Sequence, residues 1–373
     1  PAGIQVFSLF AANPKLVELL TDIVVSAPAL AQYLGRNSGV LDAVLSGEFF
    51  APWPGTEALA AQLTEKLAVA TDYESGLDLA RIWTKEWHFR IGVHHLRGLI
   101  DAETSGREYA ALAEAVLRGL WPVVVAQFAS KHGAMPGRGA VVLGMGSLGA
   151  ERLNAGSDLD LIVIYDAAGV EMSEGRRPLP ARTYYARLTQ AMVTAVSALM
   201  PEGRLYEIDM RLRPSGTQGP VATSLVSFMD YQREHAWTWE HLALTRARAV
   251  AGSVEVAAEV EAFRQDVLGQ GHDRTKVWAD VAEMRARISA AKAPDGPWDT
   301  KIGAGRMQDI ELMAQGAALI AGTAARSTAE GLAAGVAIEV LDAADKDGLC
   351  EAYDLCWRIQ AVSRLLTERP LNP

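Results

Sequence analysis

Val141 to Asp166 reads VVLGMGSLGAERLNAGSDLDLIVIYD, and the reading of this stretch decides the fold. Val141 to Leu143 is a short β-branched and aliphatic run that stops at Gly144, as a buried strand entering a turn does. Ser157 to Tyr165 is a second strand. Within it Asp158 and Asp160 stand at i and i+2, so both side chains leave one face of the sheet and converge on one cation. Carboxylates so close repel unless positive charge lies between them. Mg2+ is the natural candidate, a hard octahedral ion held by one or two carboxylates together with substrate phosphates.

The same glycines support a rival reading. Gly144-Met145-Gly146-Ser147-Leu148-Gly149 matches the dinucleotide pattern G-x-G-x-x-G after a strand, with Asp166 at a suitable distance for a ribose-binding acid. A dinucleotide fold requires a full crossover helix between the two strands, and only Ala150 to Gly156 is available here. It also leaves Asp158 and Asp160 unexplained, as two charges in a buried parallel strand.

A Gly-Ser turn, a short helix and Asp-x-Asp on the next strand resemble the nucleotidyltransferase superfamily. The resemblance implies an α/β nucleotidyltransferase fold, a small mixed sheet carrying the Gly-Ser turn and the Asp-x-Asp strand, flanked by all-helical domains. It also implies a third carboxylate on a neighbouring strand. Leu205 to Arg213, LYEIDMRLR, supplies one in Asp209. Tyr206, Ile208, Met210 and Leu212 form one face of this alternating run, and Glu207, Asp209, Arg211 and Arg213 the other. Taken alone, the run reads equally well as a half-exposed strand with a charged outer face.

The longer segments GMGSLGAERLNAGSDLDLI, YEIDMRLRPSGTQGP and AWTWEHLALTRARAV occur in the order found in glutamine synthetase adenylyltransferases. That family carries two such halves in one chain: one attaches AMP from ATP to glutamine synthetase, and the other removes it by phosphorolysis. Trp237-Thr238-Trp239-Glu240-His241 with Arg213-Pro214-Ser215-Gly216 looks like the attaching half, while the shared aspartates keep the removing half as the alternative. The resemblance implies ATP as substrate, two Mg2+ ions on Asp158, Asp160 and Asp209 as the catalytic, metal-holding set, and a tyrosine of glutamine synthetase as acceptor. Asp209 is then placed to help take the proton of the attacking hydroxyl. Nucleotide and phosphate contacts fall to Gly146, Ser147, Arg211, Arg213 and Lys301. The family's regulators, the PII signalling protein and glutamine, are implied as further partners.

Two departures touch this pattern. Gly146-Ser147-Leu148-Gly149-Ala150 stands where the family often has Gly-Lys-Leu-Gly-Gly, so a phosphate-binding lysine is lost and the superfamily's Gly-Ser restored. Lys301 to Glu311, KIGAGRMQDIE, has Gly305-Arg306 in place of a usual Gly-Gly, which bears on the role of the Lys301 loop.

The 373 residues, half of them apolar, suffice for a large core. A net charge of −10 argues against a nucleic-acid substrate, which calls for a basic face, and favours a protein partner. Only two cysteines occur, Cys350 and Cys356, too few for a disulfide framework and most simply buried thiols on a helix of a protein in a reducing compartment. With no uninterrupted apolar run of 18 residues and no basic-then-apolar start, the reading is a cytoplasmic protein that meets no membrane. The family's architecture favours a chain cut from a longer one at Pro1 and again after Pro373.

Three units are expected. Residues 1–135 form a helical linker domain, with apolar periodicity in Pro14 to Ala27, Leu59 to Ala70, Leu77 to Leu99 and Tyr109 to Ser130, broken at Phe49 to Gly55. His94 and His95 point about 100° apart on a helix and make no ligand pair. Residues 136–255 form the catalytic domain, entered through the hinge His132 to Gly139. There Arg182 to Leu199 is a helix whose Tyr185, Leu188, Met192, Val196 and Leu199 pack on the sheet. Trp237 and Trp239, at i and i+2, cannot share a helix face, so one is core and the other exposed. Arg246 and Arg248 alternate in a strand-like run and, with Arg211 and Arg213, are candidates for a local positive wall; taken singly, each reads equally as a salt-bridged surface residue. Residues 256–373 form a C-terminal helical domain with helices over Val254 to Leu268, Val277 to Ala291 and Ala317 onward.

Overall fold

The computed structural model describes residues 14–36 and 48–367. The chain opens with α1 (Pro14–Ser26), α2 (Pro28–Arg36), α3 (Thr56–Ala68), α4 (Tyr73–Leu96) and α5 (Ala102–His132). The long helices start where side chains satisfy the free N–H groups of a first turn. Asp72 accepts from Ser75 N while Ser75 Oγ accepts from Asp72 N, and Asp101 accepts from Thr104 N at 2.7 Å. Between α2 and α3 the aromatic break stays close, with Phe49 O accepting from His94 Nε2 at 2.9 Å and Phe50 stacked on the imidazole. His94 is thereby used in packing.

By length and hydropathy α5 is apolar enough to cross a bilayer, which the interrupted apolar pattern of the sequence did not suggest. Most of its apolar window is buried inside the protein, so the composition is that of a central core helix.

The sheet follows. β1 (Gly139–Gly144) and β2 (Leu159–Asp166) pair antiparallel, with the one-turn helix α6 (Gly146–Gly149) and a loop between them. After α7 (Ala181–Ser197) come β3 (Ile208–Asp209), β4 (Ala222–Ser224), α8 (Leu225–Glu234), α9 (Thr238–Thr245) and β5 (Arg248–Gly252). The order is β3-β2-β1-β5, and β4 also lies on β2. β3 and β4 run parallel to β2 and share its outer edge, β3 along Leu159–Asp160 and β4 along residues 163–165. This is a small mixed sheet among helices, as expected.

Strand alternation divides the core in two. Ala140, Val142, Leu159, Leu161 and Val163 face α3, α4, α5 and α7, where Tyr184, Tyr185, Leu188, Met192 and Val196 are buried. Val141, Leu143, Ile162 and Ile164 face the other way, against α8, α9 and the helices that follow. Leu199, expected on the α7 stripe, lies past the helix end and is 78% exposed.

The C-terminal part is α10 (Val254–Gly269), α11 (Arg274–Ala291), α12 (Met307–Ala321), α13 (Thr328–Ala337) and α14 (Ala343–Leu366). The helix expected from Ala317 onward is interrupted at Gly322, whose left-handed φ of 65° terminates α12. Cys350 and Cys356 sit on α14 as free, half-buried thiols, less enclosed than expected. The expected division near 135 lies between α5 and β1 and that near 255 lies in the first turn of α10, and one hydrophobic cluster runs from Leu59 on α3 to Val250 on β5.

Two predictions follow from this packing. A Cβ at Gly149 would overlap the Arg246 carbonyl and lie 2.6 Å from the Gly144 carbonyl, and neither backbone group can yield. Gly149→Ala should therefore lower stability by about 2–3 kcal/mol or more in denaturant unfolding. His88 on α4 donates from Nε2 to the Ala155 carbonyl at 2.7 Å, and burial pushes its pKa down from 6.5 to about 4. A depressed folded-state value means the unfolded chain binds the proton first, so stability is complete above pH 6.5 and is lost as pH falls toward 4. Melting temperatures over that window should fall less steeply for His88→Gln than for the parent.

Candidate active site

β1 and β2 converge at the turn that follows Gly144. Met145 N donates to Asp160 O at 2.9 Å, which lays the turn against the start of β2. Gly146 has φ 51°, and a Cβ there would overlap the Asp160 carboxylate. Glycine is therefore required on two counts, conformation and space. α6 begins at this residue, and the first N–H groups of a helix have no intrahelical partner. Those of Gly146 and Ser147 lie beside the aspartate strand.

Asp160 sits on β2 directly opposite Asp209 on β3, and Asp158 is the exposed residue just before β2. Burial pushes the Asp160 carboxyl up to about 6; the charges of Asp158 and Asp209 push the same way, only partly offset by Lys301 and Arg211. The three aspartates of the sequence pattern thus feel one another. Among the described residues, no three carboxylate, imidazole or thiol groups gather tightly enough to hold a metal ion as they stand. The donor set still fits a hard divalent cation: it is all oxygen, its repulsion is unrelieved at Asp160, and a glycine keeps space open at that carboxylate.

The alternation expected over Leu205 to Arg213 is not realised. Only Ile208 and Asp209 pair as strand, because Asp209 Oδ1 accepts from Arg211 N at 2.8 Å and turns the chain. This brings the Arg211 guanidinium back onto Asp209 Oδ2, at 2.7 Å from Nε. The hydrogen bond from Arg211 holds the Asp209 carboxyl below the usual carboxylate range. Glu207, its neighbour by sequence, points out to solvent and pairs with Arg204.

The other expected cations scatter. Arg213 is buried and donates to the carbonyls of Met210 at 2.8 Å and Gly219 at 3.2 Å, clamping the loop after β3. Arg246 caps α9 outside the strand and pairs with Glu311 at 3.3 Å in a buried site. Arg248 pairs with Glu114 on α5. No positive wall forms from these arginines, since each turns to a different partner. Arg211, 76% exposed, and Lys301, whose charge reaches Asp160, remain at the site. Lys301 also lines a cleft with Trp298, Gln360 and Arg364, between the α11–α12 loop and α14. Trp237 is 70% exposed, and Trp239 is half-buried and not the core residue expected.

Sequence pattern missed the groups that hold the loop between α6 and β2. Asn154 Nδ2 donates to Gln360 Oε1 at 3.0 Å, and His88 reaches Ala155 from α4. Asn154 and Gln360 are 206 positions apart, and no motif links them.

Residues 17–263 match the profile of glutamate-ammonia ligase adenylyltransferase. A bifunctional glutamine synthetase adenylyltransferase/adenylyl-removing enzyme of Mesorhizobium japonicum is 43% identical over 370 residues, 98% of this chain and 37% of that protein. Proteins of the same description from Agrobacterium fabrum and Brucella suis are 40% identical over 381 residues and 41% identical over 369. These alignments cover 100% and 98% of this chain and 38% of each relative, so the chain spans well under half the length of the relatives it matches. Matched over most of its length at such identity, with the Gly146 turn and the aspartate strands inside the matched segment, the chain belongs to the glutamate-ammonia ligase adenylyltransferase family.

Proposed function

We propose that this chain is an enzyme that transfers AMP from ATP to a tyrosine hydroxyl of glutamine synthetase, releasing pyrophosphate. The observation that carries the reading is the approach of a glycine turn to Asp160, with Asp209 opposite it on β3 and Asp158 one step before. Asp158, Asp160 and Asp209 would hold two Mg2+ ions. When bound, Mg2+ supplies positive charge to the triphosphate and lowers the pKa of the attacking hydroxyl.

The rest of the mechanism lies with the protein's own groups. Gly146 and Ser147, at the start of α6, would offer backbone N–H groups to the phosphates that leave. Lys301, whose charge reaches Asp160, would add a further positive charge. Arg211 fixes Asp209 through its backbone N and its Nε, so Asp209 contributes charge and position and would help take the proton of the attacking hydroxyl. Arg213 shapes the Pro214–Pro220 loop and need not touch nucleotide. The arrangement suits in-line displacement at the α-phosphorus, where positioning and charge do most of the work.

The removing reaction, in which inorganic phosphate attacks AMP-tyrosine, would use the same aspartates and is the second reading, favoured by the bifunctional description of the relatives. PII protein and glutamine are proposed regulators on family grounds alone. Mass spectrometry separates the two readings: glutamine synthetase incubated with the chain and MgATP should gain one AMP, whereas loss of AMP from the modified protein with phosphate would favour removal. Neither change would overturn both.

Asp158→Asn and Asp160→Asn should each cut transfer by at least ~10³-fold with the fold intact, since each removes charge without changing volume. Glu207→Gln should leave transfer near its starting value, its side chain being 72% exposed and engaged with Arg204. The rate of AMP incorporation checks both, and a tenth of the activity left in Asp158→Asn would overturn the assignment.

A further inference from the structure

We propose that Gln360, acting through Asn154, is a positioning residue for the aspartate site, resting on the metal-assisted transfer proposed above. Asp160 is fixed by strand pairing with Asp209 on one side and by the hydrogen bond from Met145 N on the other, but Asp158 lies just outside the strand, at the end of the loop that leaves α6. The place of Asp158 is therefore set by how that loop is held.

A tight turn holds its last part. Asn154 N donates to Ser157 Oγ at 3.0 Å and Ser157 N donates to Asn154 O at 3.1 Å, so the turn rooted at Asn154 runs directly into Asp158. The root is tied outward by three different helices. Leu153 N donates to Gly106 O on α5 at 3.1 Å, His88 on α4 holds the Ala155 carbonyl, and Gln360 on α14 accepts from Asn154 Nδ2. Asn154 Oδ1 is buried without a hydrogen-bond partner, so the amide is oriented through its Nδ2 end.

α14 does not need Gln360 to stay in place. Arg152 is held between the rings of Tyr353 at 4.8 Å and Trp357 at 4.9 Å and pairs with Asp354 at 2.8 Å. Trp357 Nε1 donates to Ala102 O at 2.9 Å, which seats the helix on α5. The Gln360 amide thus adds an aim to a helix already docked. Groups that orient a metal-holding side chain typically matter roughly 10–100-fold in metal affinity or activity.

The test compares Gln360→Met, similar in volume but with no comparable acceptor, with Gln360→Glu, which keeps one. Mn2+ binding to the nucleotide-free chain is read by the electron paramagnetic resonance of free Mn2+, with transfer to glutamine synthetase and thermal melting measured on the same samples. Gln360→Met, which leaves Asn154 Nδ2 unpaired, should melt below the parent yet remain folded at the assay temperature, bind Mn2+ about tenfold more weakly and lose roughly 10–100-fold in kcat, while Gln360→Glu restores both within a few-fold. Asn154→Leu cuts the tie from its other end and should give the same loss, with the double variant no worse than either single. Parent-like Mn2+ binding in Gln360→Met, or equal losses in Gln360→Met and Gln360→Glu, would overturn the positioning role. Unimpaired Mn2+ binding and transfer in Asp158→Asn would instead overturn the aspartate site on which it rests.

Discussion

The contact on which the site depends is that of the Gly146 turn with Asp160. One backbone hydrogen bond, from Met145 N to Asp160 O, sets the turn against β2, and the missing side chain at Gly146 lets the carboxylate occupy the space a Cβ would need. A buried carboxyl beside two others is costly without a cation, and the raised pKa of Asp160 expresses that cost. The glycine turn and the aspartates therefore form one unit, in which backbone N–H groups and acidic oxygens face the same space.

Around this unit, polar side chains buried between layers do the aiming. Arg81 on α4 donates to the carbonyls of Ala195, Ala198 and Gly203, fixing the turn that leads from α7 to β3 and so to Asp209. Arg213 holds the loop on the far side of Asp209, and His88 and Gln360 hold the approach to Asp158. Such groups contribute little net stability when paired and much when left unpaired, so their effect lies in specifying one position for each loop. The helical layers thus supply the precision that short, irregular strands such as β3 cannot supply themselves.

Charge follows the same economy. In a chain of net charge −10, the arginines near the sheet are largely committed to carboxylates or carbonyls, leaving Arg211 and Lys301 as the cations that face the aspartates. On the proposed reading, a site built this way would stabilise transferred phosphate through backbone donors and a few charges.

By itself the sequence determined the strand–glycine turn–strand unit, the helical character of both flanks and the residues of the aspartate set, because these are local: a period of two, a turn residue and the spacing of charges are written within a few positions. It also determined that Trp237 and Trp239 must face different surroundings. The alternating pattern did not show that the Leu205 to Arg213 strand stops at Asp209, because the side chain of Asp209 captures Arg211 N two residues on, a local bond that competes with the sheet. The tertiary structure alone sent Arg213, Arg246 and Arg248 to separate partners and brought Gln360 to Asn154. A buried charge or amide takes whichever partner folding places within hydrogen-bond reach, and for Asn154 that partner is 206 positions away, where no local pattern records it.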